Sequence, residues 1–224
     1  MNLIENRHAT GPDESGADMP VSKQERFVLG VYASVDEAIA GELERLRCEE
    51  GIAASCQLGC CHCCRHHILM DREEAHALLQ FVRRELSSDQ INDLRQRTYQ
   101  WHAWDHSRPG RGPSAKPHES VDLSNYTPCC PLLVNGACIA YPARPVVCRV
   151  HLVSSDPHLC YAVHDPTLKE EAPAVLKSVA VATAPFSKAI RDRIEDTGVD
   201  FSRSLMLLPH WLAIEMDWPF AISP

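Results

Sequence analysis

The sequence predicts a mainly α fold, a small helical domain built around an irregular, cysteine-rich metal-binding centre. Three observations lead there. Apolar residues recur at helical spacing on either side of the middle of the chain. All eleven cysteines fall between Cys48 and Cys160. The second half of that cysteine-bearing stretch carries Pro128, Pro131, Pro142, Pro145 and Pro157, with Pro166 just beyond it, and these forbid a continuous helix there.

Residues 1–22 mix Gly, Pro, Asp, Glu and Ser with few large apolar groups, a composition that predicts a disordered tail. Residues 23–224 are then expected to form one helical domain, with the cysteine core at about 50–165. Phe27 to Tyr32 reads as a short strand or extended lead-in. Ser34-Val-Asp-Glu37 has the form of a capping box, followed by Ile39, Leu43 and Leu46 on one stripe. This predicts a helix to about Cys48 that stops near Gly51, with Cys48 turned into the core.

Asp71-Arg-Glu-Glu74 is a second capping signature, ahead of Ala75, Leu78, Leu79, Val82 and Leu86. A third helix is expected to start at Ser87 or Ser88, with Ile91, Leu94, Thr98 and Trp101 facing inward. Residues 105–127 contain Pro109, Gly110, Gly112, Pro113 and Pro117 and predict a long irregular connection. Helix resumes from about residue 168, through Leu176, Val179 and Ala182, then Phe186, Ile190 and Ile194, then Leu205 to Met216. The four tryptophans are expected in the core.

The chemistry concentrates in two cysteine regions. Cys56, Cys60, Cys61, Cys63 and Cys64 are five thiols within nine positions, a density that ordinary packing does not ask for. Cys60-x-x-Cys63 lets two sulfurs turn towards one soft or borderline ion. Adjacent cysteines such as Cys63 and Cys64 suit two metals, or two corners of a cluster. Downstream, Cys130, Cys138 and Cys148 can complete the coordination, with His151 as the leading nitrogen candidate and Cys61, Cys129 and Cys160 as alternates. The predicted metal ligands are therefore Cys56, Cys60, Cys63, Cys64, Cys130, Cys138 and Cys148. Four thiolates on a divalent ion leave a net negative charge, so Arg65, Arg144 and Arg149 are assigned to hold the centre from beside it, or equally to contact an anionic substrate. His102, His106, His158 and His164 are expected at the surface, with a loose second site as the alternative.

Composition narrows the partners. A net charge of -8 argues against general nucleic-acid binding, which needs a basic face. No apolar run reaches the ~18 residues of a membrane span. An odd number of cysteines cannot all pair, and the polar N-terminus lacks a signal-peptide core. Together these predict a cytoplasmic protein with reduced thiols, free to take up metal.

The two regions together resemble the YkgJ-type cysteine-cluster family, described as a zinc- or iron-chelating domain with a CxxCxxCC signature. The first half here is Cys56-x3-Cys60-x2-Cys63-Cys64-Arg65, with a first spacer of three residues where the family has two. The second is Cys130-Pro131-Leu132-Leu133, then Cys138-x-x-Tyr141-x-x-Arg144-Pro145-x-x-Cys148-Arg149. The resemblance spans roughly residues 50–165. It implies an iron–sulfur cluster or one to two zinc ions, which the sequence alone does not distinguish. A flagellin lysine N-methylase with a similar cluster implies an enzymatic alternative, and a zinc-stabilised module for a protein partner is a third.

Overall fold

A computed structural model describes residues 20–57, 59–107, 128–163, 165, 168 and 171–219. The predicted tail over 1–19, most of the 105–127 connection, and His164 lie outside the described residues. The fold is mainly α, with seven α-helices and four two-residue strands among the described residues.

The first helix, α1, spans Lys23–Arg45. It starts eleven residues before the capping box expected at Ser34, because Ser22 takes the cap and accepts from the Glu25 amide. The Phe27–Tyr32 stretch is therefore helix and not strand. Val28, Val31, Tyr32 and Val35 are buried, and their spacing of three and four residues is a helical stripe. Ser34 instead donates back to the Gly30 carbonyl at 3.3 Å. The helix widens into a π-turn, Leu46–Glu50, and ends on Gly51 in the left-handed region (φ 67°), the conformation a glycine adopts without strain. Cys48 lies exposed beside Glu44, so the expectation that it is a core residue is overturned. The π-turn rotates its side chain off the buried stripe.

Helix α2, Arg72–Glu85, is capped by Asp71, which accepts from the amides of Glu73 and Glu74. Helix α3, Ser88–His106, carries a complete capping box between Ser87 and Gln90. Both starts match the sequence. Strand β1, Leu69–Met70, pairs antiparallel with β4, Met206–Leu207, and β4 leads directly into α7, Leu208–Glu215. Between α2, α3 and α7 sits the main core of Met70, Leu78, Leu79, Val82, Leu94, Leu208 and Leu212, with Cys130, Cys138 and Cys148 packed against its edge. Trp101 and Trp218 are buried, and Trp211 donates to the Met70 carbonyl at 3.0 Å.

Helix α6, Lys177–Glu195, begins nine residues later than the sequence suggested. The residues before it run extended, with a bridge between Val153 and Val175. Pro185 stands inside α6. The carbonyl it deprives of a partner is that of Val181, a residue 74% exposed, so water can serve it and the helix continues. Helix α6 packs along α1 through Val31, Val35, Ile190 and Ile194. Among the described residues no helix is long and apolar enough to cross a membrane.

Candidate metal centre

The first cysteine region leaves Gly51 as an extended segment held against residues 153–155. The Ser55 amide donates to the Val153 carbonyl (2.9 Å), and its hydroxyl donates to the same oxygen (3.1 Å). Cys56 follows, and its sulfur accepts from the Val153 amide at 3.4 Å. The chain then turns at Gly59, whose φ of 89° lies in the left-handed region. Glycine adopts that conformation without strain. A 3-10 turn over His62–Arg65 carries Cys63 and Cys64.

The second region is tied directly to the first, because the Cys130 amide donates to the Cys64 carbonyl at 2.7 Å. Strands β2, Leu133–Val134, and β3, Ala137–Cys138, form a hairpin that sets Cys138 opposite Leu133. Asn135 and Gly136 both have positive φ (50° and 78°), the signature of a two-residue type I′ turn. A 3-10 turn at Tyr141–Ala143 leads to Arg144 and Pro145, and α4, Val146–Val150, then presents Cys148. The short helix α5, Leu159–Ala162, carries Cys160.

These loops enclose a cavity of about 380 Å³, and Cys60, Cys63, Cys64, Cys130, Cys138 and Cys148 all line it. Six of the seven cysteines expected to be ligands thus face one space, from elements up to 88 residues apart. Cys56 does not line it; burial first, and then the charges of nearby Cys60 and Cys63, raise its pKa. Cys61 and Cys129 stay outside the lining. Among the described residues, no three His, Cys, Asp or Glu side chains stand close enough together to enclose an ion as they are placed. The sulfurs converge on the cavity from its walls without closing a coordination sphere.

The thiols are electrostatically costly neighbours. The Cys64 thiol donates to the Cys63 sulfur, and that bond, helped by the Arg144 charge, brings Cys63 down to about 7. Giving that hydrogen bond drives Cys64 far up, with burial and the nearby Cys63, Cys130 and Cys148 adding to it. Burial pushes Cys130 up to about 12 and raises Cys138 and Cys148. A bound cation reverses this balance, since it stabilises the thiolate that burial disfavours.

The three arginines separate. Arg144 lines the cavity, with its guanidinium 4.1 Å from the Tyr141 ring centre. Its Nε is buried with no hydrogen-bond partner among the described residues, so an anionic centre in the cavity suits it. Arg149 does not line the cavity. It is 4% exposed and donates to Asp36 (2.5 Å) and to the carbonyls of Arg144 (2.9 Å) and Pro142 (2.6 Å). Its work is to hold the loop that carries Arg144 and Cys148 against α1. Arg65 lies over Tyr161 at 5.2 Å from the ring centre.

Some residues important to this arrangement carried no local signal. Glu74, fully buried in α2, accepts from the Val146 amide at 2.7 Å and the Tyr32 hydroxyl at 3.1 Å. Burial first, and then the nearby Asp71 charge, push its pKa up to about 8. His102, expected at the surface, is buried with Nε2 3.0 Å from the Pro209 carbonyl. It shares that space with His210 and Asp105 between α3 and α7, because the α3 stripe is wide enough to include it. His106 and His158 are exposed. The donor set is thiol-rich, faces one cavity and has a cation beside it, which fits a soft or borderline metal.

Compared with known protein families, with curated proteins and with solved structures, the chain finds no match.

Proposed function

We propose that this chain is a metal-binding protein of the YkgJ-type cysteine-cluster kind, acting in the cytoplasm. It holds an iron–sulfur cluster or one to two zinc ions through Cys60, Cys63, Cys64, Cys130, Cys138 and Cys148. The observation that carries this reading is the shared cavity, into which both cysteine regions and Arg144 project. When bound, the metal supplies positive charge that keeps the thiolates ionised and cross-links the two regions. Arg144 offsets the surplus negative charge, and the Arg149–Asp36 pair fixes the Arg144 backbone. A redox or sensing role follows if the occupant is an iron–sulfur cluster.

The decisive measurement is anaerobic purification with elemental analysis and an absorption spectrum. Iron with acid-labile sulfide and a brown colour identifies a cluster. A colourless protein with stoichiometric zinc identifies a zinc centre. A chain with neither overturns the reading. Cys148→Ser is expected to lose metal and stability together. Full metal content in that variant would remove the second region from the ligand set.

A second reading, a metal-dependent enzyme, is favoured by cavity size. About 380 Å³ exceeds what an ion needs and lies in the range of small-molecule sites. It requires an open coordination position. A coordination shell filled wholly by cysteine sulfur counts against it.

A further inference from the structure

The wall of the shared cavity is not made of thiols alone. Ile68, Leu132, Leu133, Ala137, Val147 and Leu208 give apolar surface to a space of about 380 Å³. Among the described residues that line it there is no aspartate, glutamate or lysine, and Arg144 is the single arginine. The chain as a whole carries a net charge of -8, so this wall is locally the reverse of the molecule's charge. Tyr141 and Val147 line the cavity while 46% and 39% exposed, which places both at its opening.

Arg144 is held ready for an anion. Its Nε is buried with no hydrogen-bond partner, and among the described residues no carboxylate pairs with its guanidinium. A buried donor left unmet is costly, and a bound acceptor removes that cost. The guanidinium lies 4.1 Å from the Tyr141 ring centre, and the Arg144 carbonyl accepts from Arg149 at 2.9 Å. Side chain and backbone are thus both fixed, which lowers the ordering cost of binding. Nε and one terminal nitrogen form the fork that a carboxylate meets with two parallel hydrogen bonds. A phosphoryl group brings more charge and more acceptors than one guanidinium satisfies, and no second arginine or lysine faces it here among the described residues.

We infer that the cavity binds a small organic monocarboxylate, with the carboxylate on Arg144 and an apolar body against Leu132, Leu133, Val147 and Leu208. The inference rests on the second reading above, in which the cavity takes a small molecule, and gives that molecule a chemical class. Arg144 serves the thiolates as well, because Coulomb attraction to them acts through space and occupies no donor.

The test is titration calorimetry on the full chain, purified anaerobically and used with whatever metal it retains. The probes are octanoate, its uncharged counterpart octanamide, and acetate, which has the charge without the apolar body. Octanoate is expected to bind at one site per chain, at least about tenfold more tightly than either of the others. In Arg144→Gln, octanoate should fall to the octanamide level while octanamide is unchanged. Val147→Trp narrows the opening and leaves Arg144 in place, and it should weaken both. The comparison of octanoate with octanamide is made on the unmutated chain, so it does not depend on any variant's folding. Octanamide binding as tightly as octanoate, or octanoate not binding at all, overturns the inference. So does parental octanoate affinity in Arg144→Gln. X-ray absorption of the same sample separates this inference from the enzyme reading. An open coordination position without octanoate binding sinks the inference alone, whereas octanoate bound beside a shell filled by cysteine sulfur sinks the enzyme reading alone.

Discussion

At the scale of single residues, Arg149 shows how one side chain can organise a site that it does not enter. Its guanidinium reaches the Asp36 carboxylate and two loop carbonyls, and lies 4.4 Å from the centre of the Tyr32 ring. Only a planar fork with donors in several directions meets all of these at once. A lysine ammonium is a point charge on a flexible stem and cannot. Arg149→Lys should therefore destabilise the fold by about 1–3 kcal/mol, since one ammonium cannot serve Asp36 and both partly buried carbonyls at once. Urea unfolding at fixed pH measures this, and a loss below 0.5 kcal/mol would contradict the bracing role. Arg144 differs in kind. Its buried Nε has no hydrogen-bond partner among the described residues, and its charge favours the thiolate at Cys63 and at Cys138.

Among the elements, α2 links the core to the loops that line the cysteine-bearing cavity. Its inner face carries Ala75, Leu78, Leu79 and Val82 into the main core. Its first turn carries Glu74 to the amide of Val146, at the start of the helix bearing Cys148. The start of α2 is therefore a structural register for the second cysteine region. Asp71 sets that register by accepting from the amides of Glu73 and Glu74. Asp71→Ala should cost about 1–2 kcal/mol, whereas Asp71→Asn, which keeps an acceptor, should cost much less. Denaturation midpoints of the two variants decide it, and equal losses would mean that the cap oxygen is not what matters.

For the whole molecule, the same Glu74 makes stability depend on pH. Its folded pKa, pushed up to about 8, stands above the ordinary glutamate value of 4.5. The folded state thus holds a proton that the unfolded state releases. The stability this contributes is complete below about 4.5 and is lost as pH rises towards about 8. Glu74→Gln keeps an acceptor for Tyr32 and Val146 and removes the titration. Across that window the variant should gain steadily on the parent as pH rises, in unfolding measured on metal-free protein. Parallel curves for the two chains would show that Glu74 is not ionising there.

The helical starts at Asp71 and Ser87, the inward stripes of α2 and α3, and six of the seven cysteines expected to face one space were legible in the sequence. Each depends on residues three or four apart, or on thiol spacings that few other chemistries require. The start of α1 was harder to read, because Ser22 and Ser34 both suit a cap and it is burial against α6 and α2 that holds residues 27–32 in the helix. The split among the arginines was not readable at all. Arg65, Arg144 and Arg149 each sit beside cysteines in sequence, yet only Arg144 lines the cavity.

By itself, then, the sequence determined a mainly α chain with a cysteine-rich centre and named the thiols able to serve it. Tertiary structure alone decided which of those thiols share a cavity, which arginine accompanies them, and which histidines meet. The reason is range. Capping, periodicity and thiol spacing are local, whereas Arg149 and Asp36 are 113 residues apart and His66 and His151 are 85 apart. Pairings at that distance are set by how α1, α2 and α6 pack, and no local pattern encodes them.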